Sequence, residues 1–294
     1  MDHRQDFPPE RHRTVRSGDA ELAVYEYGPP PSPGSPSVLL VHGYPDDHLV
    51  FDAAVRRLAA GRHVITYDTR NAGASRVDDG AAAGLSPYRL PALVDDLYAV
   101  LDATGTGPVH LVGHDWGSIQ GWAAISDPRA ADRILSYTSI SGPDLAHFRH
   151  WLKVRLRSRL WPEALNQALR SSYVAAFQLP VLPEAAWKYV LTPRYEKSAG
   201  RRIGDNAARG LQLYRANMFT AARPPEGRYA GPVQVVVPLK DPFLSPKLVS
   251  GLQERFPGVE TVEVDAGHWW PEQNSSEFAD LLDRWLARHP GTGG

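Results

Sequence analysis

The sequence contains no cysteine. Disulfides, thiolate nucleophiles and cysteine-ligated metals are excluded together. Long apolar runs are missing as well. No stretch reaches the roughly 18 uncharged apolar residues that span a bilayer, and the polar N-terminus has no hydrophobic segment of the kind a secretion signal carries. An excess of one charge is also absent: 32 Lys plus Arg face 33 Asp plus Glu. Broad attraction to nucleic acid or anionic lipid is therefore not expected. Lysine is scarce, 5 against 27 arginines. The densest basic run, Arg155, Arg157 and Arg159, reads as a solvated helix face. A soluble, cytoplasmic protein is the expectation, and a homodimer is compatible with it.

What is present is an ordinary globular mixture, 43% hydrophobic over 294 residues, enough for a sizeable core. Continuous apolar runs of strand length occur at 38–41, 64–67, 109–112 and 233–237, with weaker ones at 134–140 and 259–264. Runs without alternation suit strands covered on both faces, as in a parallel sheet. Helical patterns separate them, at 52–60, 90–104, 118–126, 246–255 and 277–289. Such alternation predicts an α/β fold with right-handed crossovers. Two earlier strands, at 12–17 and 22–27, would add an antiparallel edge. Between 145 and 225 the pattern is helical and rich in Trp, Tyr and Arg. The expected organisation is a core of 13–144 and 226–289, an all-helical cap of 145–225 inserted after the sixth strand, and flexible tails at 1–12 and 290–294.

The chemistry centres on Gly113-His114-Asp115-Trp116-Gly117, directly after a buried strand and before a helix. Small residues two positions either side let a tight strand-to-helix turn lift the central side chain above the sheet. That is the geometry of the Gly-x-Ser-x-Gly elbow. The competing structural role for Asp115 is to cap the following helix. As a nucleophile, aspartate differs from serine in what it can turn over. Serine attacking a saturated carbon would leave an ether that water cannot cleave. A carboxylate leaves an ester, and water can attack that carbonyl. An elbow aspartate thus points to epoxides or alkyl halides.

With His42-Gly43-Tyr44-Pro45 after an early strand and Ala266-Gly267-His268-Trp269 near the end, the elbow resembles α/β-hydrolases of the epoxide hydrolase and haloalkane dehalogenase group. The resemblance covers about 15–286. It implies an α/β-hydrolase fold, with the backbone N–H groups of Tyr44 and Trp116 as an oxyanion hole. Triad order in that fold is nucleophile, acid, histidine. This order selects His268 as the base and Asp241, just past a strand, as the acid that orients it. Asp265 is the nearer alternative and reads as a turn residue. His42 and the Asp46–His48 run are better explained by the oxyanion turn and a helix start than by a metal.

Leaving-group chemistry separates the two activities. An epoxide oxygen departs as a basic alkoxide and needs a proton, which tyrosine can supply at neutral pH. Tyr173, in Tyr-Val-Ala-Ala-Phe-Gln-Leu-Pro, and Tyr214, in Tyr-Arg-Ala-Asn, are similar to the two cap tyrosines of epoxide hydrolases. Many dehalogenases have Asn where Tyr44 stands; Trp187 is the remaining candidate for a halide donor. Two departures from the family pattern occur. Asn71 replaces a glycine in the loop 68–75, and Val181 replaces one after Pro180. The implied function is epoxide hydrolysis to a vicinal diol, needing a small hydrophobic epoxide, water and no cofactor. The alternatives are a haloalkane dehalogenase and a non-catalytic ligand-binding protein. Some relatives similar over this length are fused to a short-chain dehydrogenase domain.

Overall fold

The computed structural model describes residues 7–32, 34–78, 80, 84–220 and 229–291. Nine strands form one sheet: β1 Arg11–Ser17, β2 Ala20–Tyr27, β3 Val38–Val41, β4 Val64–Tyr67, β5 Arg76–Val77, β6 Val109–His114, β7 Ile134–Ile140, β8 Val233–Pro238 and β9 Glu260–Val264. Their order is β1-β2-β4-β3-β6-β7-β8-β9, with β5 on β2. From β4 to β9 every pairing is parallel, while β1 and β2 form the antiparallel edge. The strands β3, β4, β6 and β8 are buried at every residue. Helices α1 Asp52–Leu58 and α12 Ser275–Arg288 bury their apolar stripes with one face. Helices α2 Leu90–Thr104 and α3 Trp116–Ile125 cover the other. The short α4 Ala130–Arg133 leads into β7, and α11 Trp270–Gln273 precedes α12.

Between β7 and β8 the described residues contain no strand, only helices and turns: α5 Leu145–Leu156, α6 Trp161–Arg170, α7 Ser172–Ala176, α8 Leu182–Ala186, a π-helical turn Trp187–Leu191, α9 Thr192–Ala199 and α10 Asn206–Asn217. The two-residue strand β5 has no counterpart among the expected strands. The insertion thus follows the seventh strand in chain order and the sixth of the long ones. Among the described residues no helix is long and apolar enough to cross a membrane.

Three expectations need correction. Residues 7–12 are not a frayed tail: Phe7 stacks on Tyr27, its N–H donates to Asp52, and β1 starts at Arg11. Of the remaining expected tails, 1–6 and 292–294 lie outside the described residues, as does the cap boundary at 225–226. The helix expected at 246–255 is two 3-10 turns, Pro246–Val249 and Leu252–Glu254, divided by Gly251 at φ +83°. Arg155 is not solvated; it is buried, donates to Glu163 and lies 4.0 Å over the Trp151 ring. Because α5 ends at Leu156, Arg157 and Arg159 leave the helix and stay exposed.

The two departures from the family pattern resolve differently. Asn71 takes φ +59°, which asparagine tolerates, and its side chain donates to Tyr88 and accepts from the Val77 N–H. Val181 takes φ +66° and ψ −43°, closed by a Leu182 N–H to Pro180 carbonyl bond of 2.7 Å. This is the strained form of the γ-turn, held by a β-branched residue that is 72% exposed. Val181→Gly removes strain and almost no packing. It should raise unfolding stability by about 1 kcal/mol, read as a higher urea midpoint; an unchanged or lower midpoint contradicts it.

Candidate active site

Asp115 directly follows β6 and precedes the first turn of α3, with φ +52° and ψ −118°. The turn exists because its neighbours lack side chains. A Cβ on Gly113 would lie 2.5 Å from the Gly117 carbonyl oxygen, and one on Gly117 would lie 2.1 Å from that of Val41. Asp115 makes no side-chain cap to α3. Its Oδ1 instead accepts the Tyr44 backbone N–H at 2.7 Å. Trp116 opens α3, where the first backbone N–H groups have no partner within the helix.

The second carboxylate oxygen, Oδ2, lies 3.6 Å from His268 Nε2. His268 Nδ1 is 2.8 Å from Asp241 Oδ2, and Asp241 Oδ1 accepts the N–H groups of Phe243 and Leu244. Asp265, the other acid near the histidine, sits on the surface with Lys240. The backbone carbonyl of His268 is held at 2.8 Å by His114 Nε2, the elbow residue before Asp115. Burial alone would lower the His268 pKa; the carboxylates of Asp115 and Asp241 outweigh it and push it up to about 10. Burial works the other way on Asp241, but the bond to His268 and that charge win, and its pKa stays below the usual carboxylate range. At neutral pH the histidine is an imidazolium between two carboxylates.

Over this group lies a cavity of about 330 Å³, lined by Asp115, Trp116 and His268 from the core and by Tyr173, Tyr214 and Phe148 from the cap. Tyr173 comes from α7 and Tyr214 from α10, their ring centroids 5.9 Å apart. Burial raises both phenol pKa values, and the Asp115 charge raises them further. Both stay protonated. The Trp116 ring packs edge-on against that of Tyr214, centroids 5.0 Å apart. Trp187 is not among the cavity's described lining residues; its ring packs edge-on against Tyr44 at 5.6 Å. The structure therefore brings together Asp115, His268, Asp241, Tyr173, Tyr214, Tyr44 and Trp116.

Sequence reasoning missed what fastens the cap. Asp46 is fully buried and accepts from Tyr195 and Arg201 of the cap and from Trp269 Nε1. Arg201 also donates to Glu272 at 2.9 Å. One cap arginine thus ties the turn after Tyr44 to the segment after His268. Asp46 is therefore not part of the helix start that its neighbours form. Asp47 fills that role, accepting from the Leu49 N–H, and His48 pairs with Asp68.

Residues 36–275 match the family model described as alpha/beta hydrolase fold. The chain belongs to that family. Within it, the chain is 32% identical over 305 residues to a Mycobacterium tuberculosis protein named probable oxidoreductase EphD; the match covers 92% of this chain and 50% of that one. It is 27% identical to mouse epoxide hydrolase 4, covering 86% of this chain and 69% of that one. The chain spans about half the length of the mycobacterial relative. A Bacillus megaterium epoxide hydrolase solved with an inhibitor superposes with a TM-score of 0.74 at 20% identity, over 93% of this chain and 99% of that one. A likeness at that identity speaks for the fold alone.

The raised His268 pKa has a sign that can be measured. Its stabilising contribution is complete below the ordinary value of 6.5 and is lost as pH rises through about 10. The urea midpoint of the wild-type protein should therefore fall more steeply from neutral pH towards pH 10 than that of His268→Gln. Parallel pH curves would contradict the assignment.

Proposed function

We propose that this α/β-hydrolase is an epoxide hydrolase that works through an ester on Asp115. The observation that carries the reading is the pair of protonated cap phenols across one cavity from a charged elbow carboxylate. The proposed division is a core of 13–144 and 226–289 that supplies nucleophile, base and acid, and a cap of 145–225 that supplies the proton donors. Names of relatives such as mouse epoxide hydrolase 4 agree with it.

Asp115 Oδ2 attacks a ring carbon while Oδ1 stays on the Tyr44 N–H. The ring C–O bond breaks, and its electron pair goes to the epoxide oxygen, which takes a proton from Tyr173 or Tyr214. The ester no longer carries the Asp115 negative charge. That charge is a major cause of the raised His268 pKa, so the imidazolium becomes a stronger acid and returns a proton to the phenolate. Neutral His268, oriented by Asp241, then deprotonates water, which attacks the ester carbonyl. The tetrahedral oxyanion forms at Oδ1, where the N–H groups of Tyr44 and Trp116 stabilise it. Collapse releases the second alkoxide, which takes the proton back from His268. The new Asp115 carboxyl group passes its own proton to His268, and both groups regain their starting states.

A halide would need two N–H donors and no acid. With the Trp116 ring packed against Tyr214 and Trp187 not among the described lining residues, the site suits an oxygen leaving group better. In the first test, His268→Gln is incubated with a terminal epoxide such as styrene oxide. The protein mass should rise by one epoxide, mapped to Asp115, with no diol formed. Tyr173→Phe with Tyr214→Phe should slow ester formation by about 10²-fold or more. Diol production by the wild type with Asp115 never labelled in ¹⁸O-water would overturn the ester. Halide release unaffected by the double variant, with no epoxide turnover, would favour dehalogenation.

A further inference from the structure

The cavity over Asp115 has an apolar wall of Ile119, Leu145, Phe148, Leu152, Met218 and Phe243, and one group in it does not fit an all-apolar substrate. Arg149, on α5, lines the same cavity and is the sole Arg or Lys among its described lining residues. Its Nη2 donates to the carbonyls of Asn217 at 2.9 Å and Met218 at 3.3 Å, at the end of α10. Its Nη1 is buried with no hydrogen-bond partner among the described residues. Burial lowers the Arg149 pKa, and the one carboxylate that acts against this is Asp144. Asp144 is already paired with Arg255 at 2.5 Å and caps α5 through the Ala146 N–H.

Capping α10 accounts for one nitrogen and leaves the buried Nη1 of this half-buried guanidinium without an acceptor among the described residues. Guanidinium donors left without acceptors in an apolar surrounding are costly, because their lost hydration is not replaced. A carboxylate on the ligand would supply the acceptor and the countercharge together, with the charge-assisted geometry arginine favours. A monoanion suits a single guanidinium. A phosphate dianion would leave a negative charge unbalanced in the same apolar space as Asp115. The cavity wall also carries two groups of opposite sign. Asp115 repels an anion and Arg149 attracts one, so an epoxide bearing a carboxylate is held in one direction, its ring towards Asp115.

We propose that Arg149 forms a carboxylate subsite, and that the preferred substrates are epoxides carrying an acid group at the far end of an apolar chain. This rests on the Asp115 cavity being the substrate site. The test uses terminal epoxy acids of six to twelve carbons, each beside its methyl ester, with kcat/KM measured for both. In the wild type at least one acid should exceed its ester by on the order of tenfold, mainly through KM. That ratio should fall towards one in Arg149→Met and recover in part in Arg149→Lys. A ratio insensitive to both variants, or a preference for the ester at every length, overturns the proposal and leaves Arg149 as a helix cap. A second readout needs no turnover. Octanoate should raise the melting temperature of the wild type more than octanol does, and that difference should vanish in Arg149→Met. If octanoate binds this way while no epoxide is hydrolysed, the activity reading fails and the subsite stands. If epoxides are turned over without any acid preference, the subsite fails and the activity reading stands.

Discussion

One imidazolium shared by two carboxylates sets the resting state of the site. Asp115 and Asp241 approach His268 from its two ring nitrogens, at 3.6 and 2.8 Å. Two carboxylates on either side of one ring would repel if that ring were neutral. The proton that cancels the repulsion is also the one the chemistry needs. In the proposed mechanism, it is held tightly while Asp115 is charged and released once Asp115 becomes an ester. A fixed set of side chains can then act first as a proton reservoir and later as a base, with no movement of the ring. What changes is the charge on the nucleophile itself.

The reservoir works only if the groups around it stay in register, and the cap is part of that register. Asp46 lies two residues after the oxyanion-turn N–H of Tyr44, Trp269 directly follows His268, and Arg201 and Tyr195 belong to the cap. A buried carboxylate without partners would be costly; here three donors converge on it. The same contacts hold the cap that carries Tyr173 and Tyr214 over the sheet that carries Asp115. His114 adds a further tie, from the residue before the nucleophile to the carbonyl of the base. Cap position and triad geometry are thus fixed by overlapping bonds.

Much of this was legible in the sequence, for local reasons. The runs at 38–41 and 109–112 lack alternation because both sheet faces are covered, and the glycines at 113 and 117 are required by contacts within the elbow and to the adjacent strand. Asp241 could be chosen over Asp265 because it follows a strand end at the right place in chain order. What stayed hidden depends on distant or exceptional contacts. Arg201 and Asp46 are 155 residues apart, and nothing near either one announces the other. The periodicity at 246–255 suggests one helix, yet Gly251 in a left-handed conformation divides it. Arg155 reads as surface because a guanidinium normally is; an aromatic face and Glu163 give it a buried alternative. At Val181 the sequence shows a missing glycine, but not that the turn keeps its shape under strain.

Nucleophile and leaving group are decided by different parts of the chain, and this explains how one fold can divide into separate activities. On the proposed mechanism the elbow sets that a carboxylate attacks saturated carbon, whatever the cap does. The cap then selects among electrophiles by what it offers the departing atom. Here it offers two phenols whose acidity is suppressed by burial and by Asp115 itself. A phenol kept neutral beside a carboxylate can give its proton only when that carboxylate's charge is being lost to a new bond. On that mechanism, proton donation is timed to the attack. An N–H donor aimed at a halide has no such dependence, because it gives up nothing. On the proposed reading, the coupling between the Asp115 charge and phenol acidity suits this arrangement to an oxygen that must be protonated as it leaves.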